Sequence, residues 1–202
     1  DLFAFRFRST WAGALTTLVA TPLGTLAAYG LFASRLRAAR GLHTLMLTPI
    51  IVPVILVAIG VFYVYVKIKL VNSLAGIVLA HSMLALPLVM LVVGSALKSF
   101  DMNQEMVARS LGASRARAFW SVTLPQIRFS LVSAALLSFL TSFDEVILAL
   151  FIAGGSNSTL TRNMFNALRD QIDPTIAAIS TLMIVVTTLL LALAQFYGRQ
   201  RE

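Results

Sequence analysis

Few side chains in this chain of 202 residues can do chemistry, and the most conspicuous are two adjacent acids, Asp144 and Glu145, inside the apolar run "SFDEVILALFIAG". A carboxylate at the centre of a lipid-facing helix is unfavourable by about 2.5–3.5 kcal/mol, so an ionisable residue there is a functional candidate: it can replace part of the hydration that a cationic solute loses. Counted along a helix from residue 129, Asp144 lies about 22 Å in, in the outer half, and adjacent residues point about 100° apart, so at most one of the two faces a lumen squarely. The alternative is an acid paired with a nearby Lys or Arg, or one that reaches the outer interface. His81, beside Ser82 and Met83, either lines a path or hydrogen-bonds a neighbouring helix. No His, Asp and Glu cluster has metal-ligand spacing, and no Ser-His-Asp arrangement suggests hydrolysis. There is no cysteine for a thiolate site or disulfide, and no Gly-x-x-x-x-Gly-Lys-[Ser/Thr] loop to cradle a nucleotide. Metal, catalytic and cofactor assignments are therefore empty for this chain.

The elements that position these residues follow from composition. Hydrophobic residues make up 58% and charged residues 12%, mean hydropathy is +0.88, and nothing alternates with the period of a barrel strand. The expected fold is all-α, a polytopic membrane bundle. Five apolar segments, 11–33, 42–66, 74–97, 129–153 and 175–197, each suffice to cross a hydrocarbon core of about 30 Å. Pro22, Pro49, Pro53 and Pro87 lie within them and are expected to bend their helices. Gly13, Ala20, Gly24, Ala27, Ala28 and Ala134 permit close helix contacts.

The net charge of +8 reads as orientation rather than nucleic-acid binding, because Lys and Arg gather on the cytoplasmic side. Arg35, Arg37, Arg40, Lys98, Arg109, Arg115, Arg117, Arg128, Arg199 and Arg201 fall on one side, against Arg6, Arg8, Lys67, Lys69, Arg162 and Arg169 on the other. The ten-to-six division puts the 98–128 loop, Arg37, Gly112 and the C-terminus inside, and Lys69 and Asn157 outside. An outer loop, 154–174, carries Leu160, Met164, Leu168 and Ile172 at a spacing of four, an apolar stripe for one helix between Thr159 and Pro174. No repeat or linker divides the chain, so 1–202 is expected to be a single membrane domain. Since it begins with Asp1 and lacks a signal peptide, it is expected to start partway through a longer product.

The 98–128 loop is the basic island in this apolar chain. "EMVARSLGASRARAFWSVTLP" keeps helix-compatible sequence on both sides of Gly112. Ser114 can cap a second short helix, Phe119, Trp120 and Val122 are too apolar for a solvated surface, and Leu124-Pro125 is expected to stop it. The expected role of this helix-turn-helix is to dock a soluble partner, with Phe119 and Trp120 as the apolar contact. The stretch resembles the coupling loop of membrane subunits of binding-protein-dependent ABC importers: EAA, three residues, Gly, nine residues, an aliphatic residue, one residue, Leu-Pro. Ala108, Gly112, Val122, Leu124 and Pro125 match at that spacing, while the motif's Glu position holds Met106, with Glu105 one residue earlier. "TLVATPLGTLAAYGLF", "LHTLMLTPIIVPVILVAIG" and "SFDEVILALFIAG" are similar to the spermidine and putrescine permease branch.

The resemblance implies a type I importer in a bacterial plasma (inner) membrane. It would have two membrane subunits, two cytoplasmic ATPase subunits that bind ATP and Mg, and an external or periplasmic substrate-binding protein. The coupling residues it implies are Ala108, Gly112, Val122, Leu124 and Pro125, to which the loop's own pattern adds Ser114, Phe119 and Trp120, with Glu105 the acid next to the motif's Glu position. Family members usually have six helices with cytoplasmic termini, so the family's first helix is expected to be absent from this chain. The implied substrate is a small cation such as a polyamine; opines, other amines and aminoalkyl phosphonates fall within the same extended group. A rival of another class, an ion-coupled secondary transporter, would show broken helices at midplane and often an internal repeat. A receptor or scaffold would explain the docking loop but not the polar residues in the spans.

Overall fold

The computed structural model describes residues 2–34, 38–154, 158–170 and 174–199. Arg35, Arg37, Asn157, Ile172 and Arg201 lie outside the described residues, as does the side chain of Leu168. The described residues are helical, without a strand: α1 (Leu2–Ala33), α2 (Ala39–Ile51), α3 (Val54–Ile68), α4 (Leu74–Ser99), α5 (Asn103–Ser110), α6 (Arg115–Ala118), a π-helical turn (Phe119–Thr123), α7 (Leu124–Gln126), α8 (Arg128–Asp144), α9 (Ile147–Ile152), α10 (Leu160–Asp170) and α11 (Pro174–Arg199). Ser9–Ala33 and Leu74–Ser99 are each long and apolar enough to cross a membrane. The expected second and fourth spans are not continuous. Gly41–Ile51 and Val54–Ile68 meet at 99°, and Arg115–Gln126 and Arg128–Asp144 at 79°, giving four candidate spans if each bent pair counts as one; Ala177–Ala192 is a shorter apolar stretch.

Each break has a local cause. Pro53 supplies no N–H and drives Val52 to an extended conformation (ψ 132°). Its carbonyl then starts the next helix by accepting from Leu56 and Val57 at 2.9 and 3.4 Å. Pro22, Pro49 and Pro87, by contrast, sit inside helices that run through them. The 129–153 segment parts after Asp144, where Glu145 is extended (ψ 115°) and α9 begins two residues later.

The centre of the bundle is α1, α4 and α8. Ala20, Ala85 and Ala134 are fully buried, and Ala28 and Tyr29 of α1 share a core with Val89, Val93 and Leu97 of α4 and Ala134 of α8. Ala12 meets Ile77 at the other end, so α1 and α4 run in the same direction. A Cβ on Gly24 would lie 2.7 Å from a Val89 methyl and 3.2 Å from the Leu86 carbonyl, so the α1–α4 approach requires glycine there. In lipid, association rests on such contact rather than on hydrophobic burial, which is why small residues mark the seam. Leucines and isoleucines outside it, including Leu18 and Ile51, are exposed, as lipid contact demands.

The basic residues separate between the two ends. Lys98, Arg109, Arg115, Arg117 and Arg128 gather where α4 ends and α8 begins. Lys67, Lys69 and Arg162 lie at the opposite end, where Asn72 donates to the Ile152 carbonyl (2.8 Å) and Leu160 donates to the Ser9 hydroxyl (2.7 Å). The expected helix in the 154–174 loop is α10, with Thr159 accepting from the Arg162 amide at 3.3 Å and Leu160 buried.

Gly24→Val is expected to destabilise the chain by about 1–3 kcal/mol through overpacking. Gly94→Ala, where nothing lies within 4 Å of the added carbon, should leave it unchanged; thermal unfolding of the purified chain in detergent compares the two.

Candidate functional site

The loop between α4 and α8 is built from two abutting caps. At the end of α5, Gly112 adopts φ +94°, its amide donates to the Arg109 carbonyl (3.0 Å), and the Ala113 amide reaches back to Ala108 (3.1 Å). This pair of bonds with a positive-φ glycine is the Schellman stop of a helix. Ser114 follows immediately and accepts from the Arg117 amide at 3.2 Å, opening α6. The spacing of Ala108, Gly112 and Ser114 is thus one continuous geometric instruction: stop, turn, start. No atom lies within 4 Å of a Cβ on Gly112, so backbone conformation rather than lack of room demands glycine.

Two expectations for this loop are corrected. Phe119 does not face a partner: only 5% exposed, its ring packs on Tyr29 at 4.5 Å and joins the core with Leu97 and Ile127. Leu124-Pro125 does not stop the helix, because the π turn at 119–123 carries Leu124 N–H to the Phe119 carbonyl and the helix runs to Gln126, bending at Ile127. The exposed apolar face is instead Trp120 (65%) with Leu111 (84%), Met106 and Val107. Val107 on α5 and Leu111 at its C-cap are four apart, a helical spacing that could have marked them in the sequence. Val122 is half-buried. Glu105 is 2% exposed and points inward: Tyr29 donates to one carboxylate oxygen at 2.6 Å and Thr123 to the other at 2.7 Å. Tyr29 is 76 residues away in sequence, and no local pattern announces it.

The two acids of the 129–153 segment have different fates. Glu145 lies in the break, where its carboxylate accepts from the Leu148 amide at 2.9 Å, satisfying one of the free donors at the start of α9, and its carbonyl accepts from Thr161 at 3.1 Å. The expected pairing with a Lys or Arg is replaced by a backbone N–H. Asp144, the last residue of α8, is exposed. It opens into a cavity of about 610 Å³ between α8 and α11, which Glu145 also lines, where Thr141, Thr187 and Thr188 add hydroxyls and Leu140, Phe143, Met183 and Ile184 form the apolar wall. The threonines went unnoticed in the sequence because each is unremarkable within its own span. His81, 1% exposed, is tied to Ser142 through Nδ1 at 2.8 Å, and Ser142 donates to Thr16 at 3.2 Å. It therefore links α4, α8 and α1, the hydrogen-bonding alternative of the two. No group of three or more His, Cys, Asp or Glu able to hold a metal occurs among the described residues.

Residues 20–201 match the family described as the inner membrane component of binding-protein-dependent transport systems. The chain belongs to this family. It is a permease subunit of an ABC importer and not an enzyme. It is 29% identical over 184 residues to the spermidine/putrescine permease PotC of Haemophilus influenzae, covering 91% of this chain and 72% of that protein. It is 29% identical to the putrescine permease PotI of Escherichia coli, covering 85% and 63%, so it spans less than two thirds of PotI. The molybdenum permease ModB of Mycobacterium bovis is 30% identical, covering 92% and 75%. The fold matches an inward-facing MetNI methionine ABC transporter with a TM-score of 0.74 at 16% identity, covering 97% of this chain and 95% of that one. Family membership separates this permease from an ion-coupled transporter even though it has the broken helices such a transporter would show.

Glu145→Ala is expected to cost about 1 kcal/mol through loss of the α9 cap. Glu145→Gln, which keeps an oxygen for the Leu148 amide, should cost less than half of that; thermal melts in detergent distinguish the two.

Proposed function

We propose that this permease forms half of a translocation pathway for a small cationic solute of the polyamine class and is driven by a partner ATPase that docks on the α5–α6 loop. The C-terminus and that loop face the cytoplasm in this reading, which the gathering of Lys98, Arg109, Arg115, Arg117 and Arg128 at one end supports. The observation that carries docking is the exposed Leu111 and Trp120 amid exposed arginines, on a loop whose backbone is held by a helix stop and a serine cap. A rigid apolar and basic knob at the end of a membrane bundle fits a cleft on a soluble subunit. ATP and Mg belong to that subunit, substrate arrives from an external binding protein, and a second homologous permease supplies the other half of the pathway.

The cationic substrate rests on Asp144. An exposed carboxylate among three threonines, in a cavity with an apolar wall, suits an alkyl ammonium: the acid and hydroxyls take the N–H donors, and the methylenes lie on Leu140 and Met183. Relatives named for spermidine and putrescine agree with this chemistry. The molybdenum relative does not, and a carboxylate in the cavity disfavours an anionic solute.

With the importer reconstituted in vesicles, Asp144→Asn is expected to lower putrescine uptake about tenfold or more, the loss of one hydrogen bond to a charged group. Glu145→Gln should stay within about twofold, since its oxygen still caps α9. Equal uptake in Asp144→Asn and the native chain would remove the cationic assignment. Gly112→Ala and Gly112→Arg should each weaken ATPase co-purification, because both force a side chain into positive φ at a cost of about 1–3 kcal/mol. A normal ATPase yield from both would refute docking on this loop.

A further inference from the structure

The inward carboxylate of Glu105 plays no part in the docking face, and a leucine would fill its place without the penalty of burying a charge. Its two oxygens accept from different segments, one from Tyr29 near the end of α1 at 2.6 Å and the other from Thr123 at the end of the π turn at 2.7 Å. Around it, Tyr29 packs against Phe119 with tilted rings at 4.5 Å, and the Arg115 guanidinium lies 5.8 Å from the Tyr29 ring centre. Thr123 is fully buried. Along the chain α5 begins 70 positions after α1 ends, and this acid is a direct polar connection between them at the base of the loop.

We propose that Glu105 is a positioning residue that makes the coupling loop and the end of α1 move as one body, so that displacement of the loop by the ATPase reaches the α1–α4 seam. The inference rests on the docking reading for the source of that displacement. If α5 shifted without α1, the Tyr29 bond would open and leave a buried carboxylate short of a donor, which costs more than losing an exposed hydrogen bond. Because the opposite oxygen holds Thr123, the π turn and the start of α8 are drawn along as well. The carboxylate therefore resists relative motion in two directions, whereas apolar contact between Tyr29 and Phe119 resists sliding only weakly.

The natural absence of cysteine allows a direct test. Spin labels at Asn103→Cys and Gly30→Cys report the loop–α1 distance, and labels at Gly30→Cys and Gly94→Cys report the bundle itself; Asn103 is exposed and both glycines have open space around them. In the complex with its ATPase in nanodiscs, trapping with ATP and vanadate is expected to leave the loop–α1 distance of the native chain unchanged. Tyr29→Phe and Glu105→Ala should broaden that distribution about twofold or more while the Gly30–Gly94 distribution stays narrow, and trapping should now shift the loop away from α1. Glu105→Gln, whose oxygen can still accept from Tyr29 and whose amide can donate to Thr123, should keep the native width. Native widths in Tyr29→Phe and Glu105→Ala, equal broadening of both label pairs, or a loop–α1 shift on trapping the native complex would each overturn the proposal. Failure of the ATPase to co-purify with the native chain would strike the docking reading instead, and the widths, measured on the chain alone, would still decide whether Glu105 ties the loop to α1.

Discussion

In a bilayer, apolar side chains gain nothing by leaving lipid for one another, so helices hold together only where they touch closely over a length. In this permease that constraint is met by α1, α4 and α8, where Ala20, Ala85 and Ala134 are fully buried and Gly24 leaves room for Val89. The seam sets what either end can do. Because α1 and α4 run in the same direction, their far ends arrive together at the base of the loop, and Tyr29 and Leu97 become neighbours of Phe119. At the opposite end the same alignment brings Ser9 under the amide of Leu160, fixing α10 against the bundle.

A second constraint is that backbone donors and acceptors left open by a break must find partners, since the hydrocarbon offers none. The α8–α9 break shows how side chains do this. Glu145 gives its carboxylate to the Leu148 amide and its carbonyl to Thr161, so one residue satisfies groups on both sides of the interruption. Asp144, still the last residue of α8, opens into a cavity with Thr141, Thr187 and Thr188, and Glu145 lines the same cavity. The break lets Glu145 cap α9 while Asp144 stays free of a backbone amide, both at the edge of one cavity.

Legibility in the sequence followed the range of the interaction. Helical class, the small-residue seam and the stop-turn-start of Ala108, Gly112 and Ser114 depend on residues a few positions apart, and all are found in the structure. The bends at Val52–Pro53 and after Asp144 were not readable as breaks: a proline inside an apolar run predicts a kink, yet Pro22 and Pro87 sit in helices that continue while Pro53 turns the chain by 99°. What decides is whether the neighbours re-satisfy the freed carbonyls, which is tertiary information. Phe119 was misjudged for a related reason. Its side chain looked excessive for a loop surface, and the place it fills, beside Tyr29, is supplied by a residue 90 positions earlier.

Glu105, Glu145 and Asp144 differ in their surroundings, which sort them by use. Glu105 accepts from two hydroxyls on separate segments, so its charge is satisfied only while those segments keep their relation. Glu145 accepts from a backbone amide three residues away, a bond that is local and indifferent to motion between helices. Asp144 is exposed in its cavity, open to a solute. A carboxylate bonded across segments resists movement, one bonded within a segment shapes the chain, and one facing a cavity is available to a ligand. On this logic the cost of burying a charge explains the role of Glu105, whereas Glu145 acts as a local cap and Asp144 stays exposed on the cavity wall.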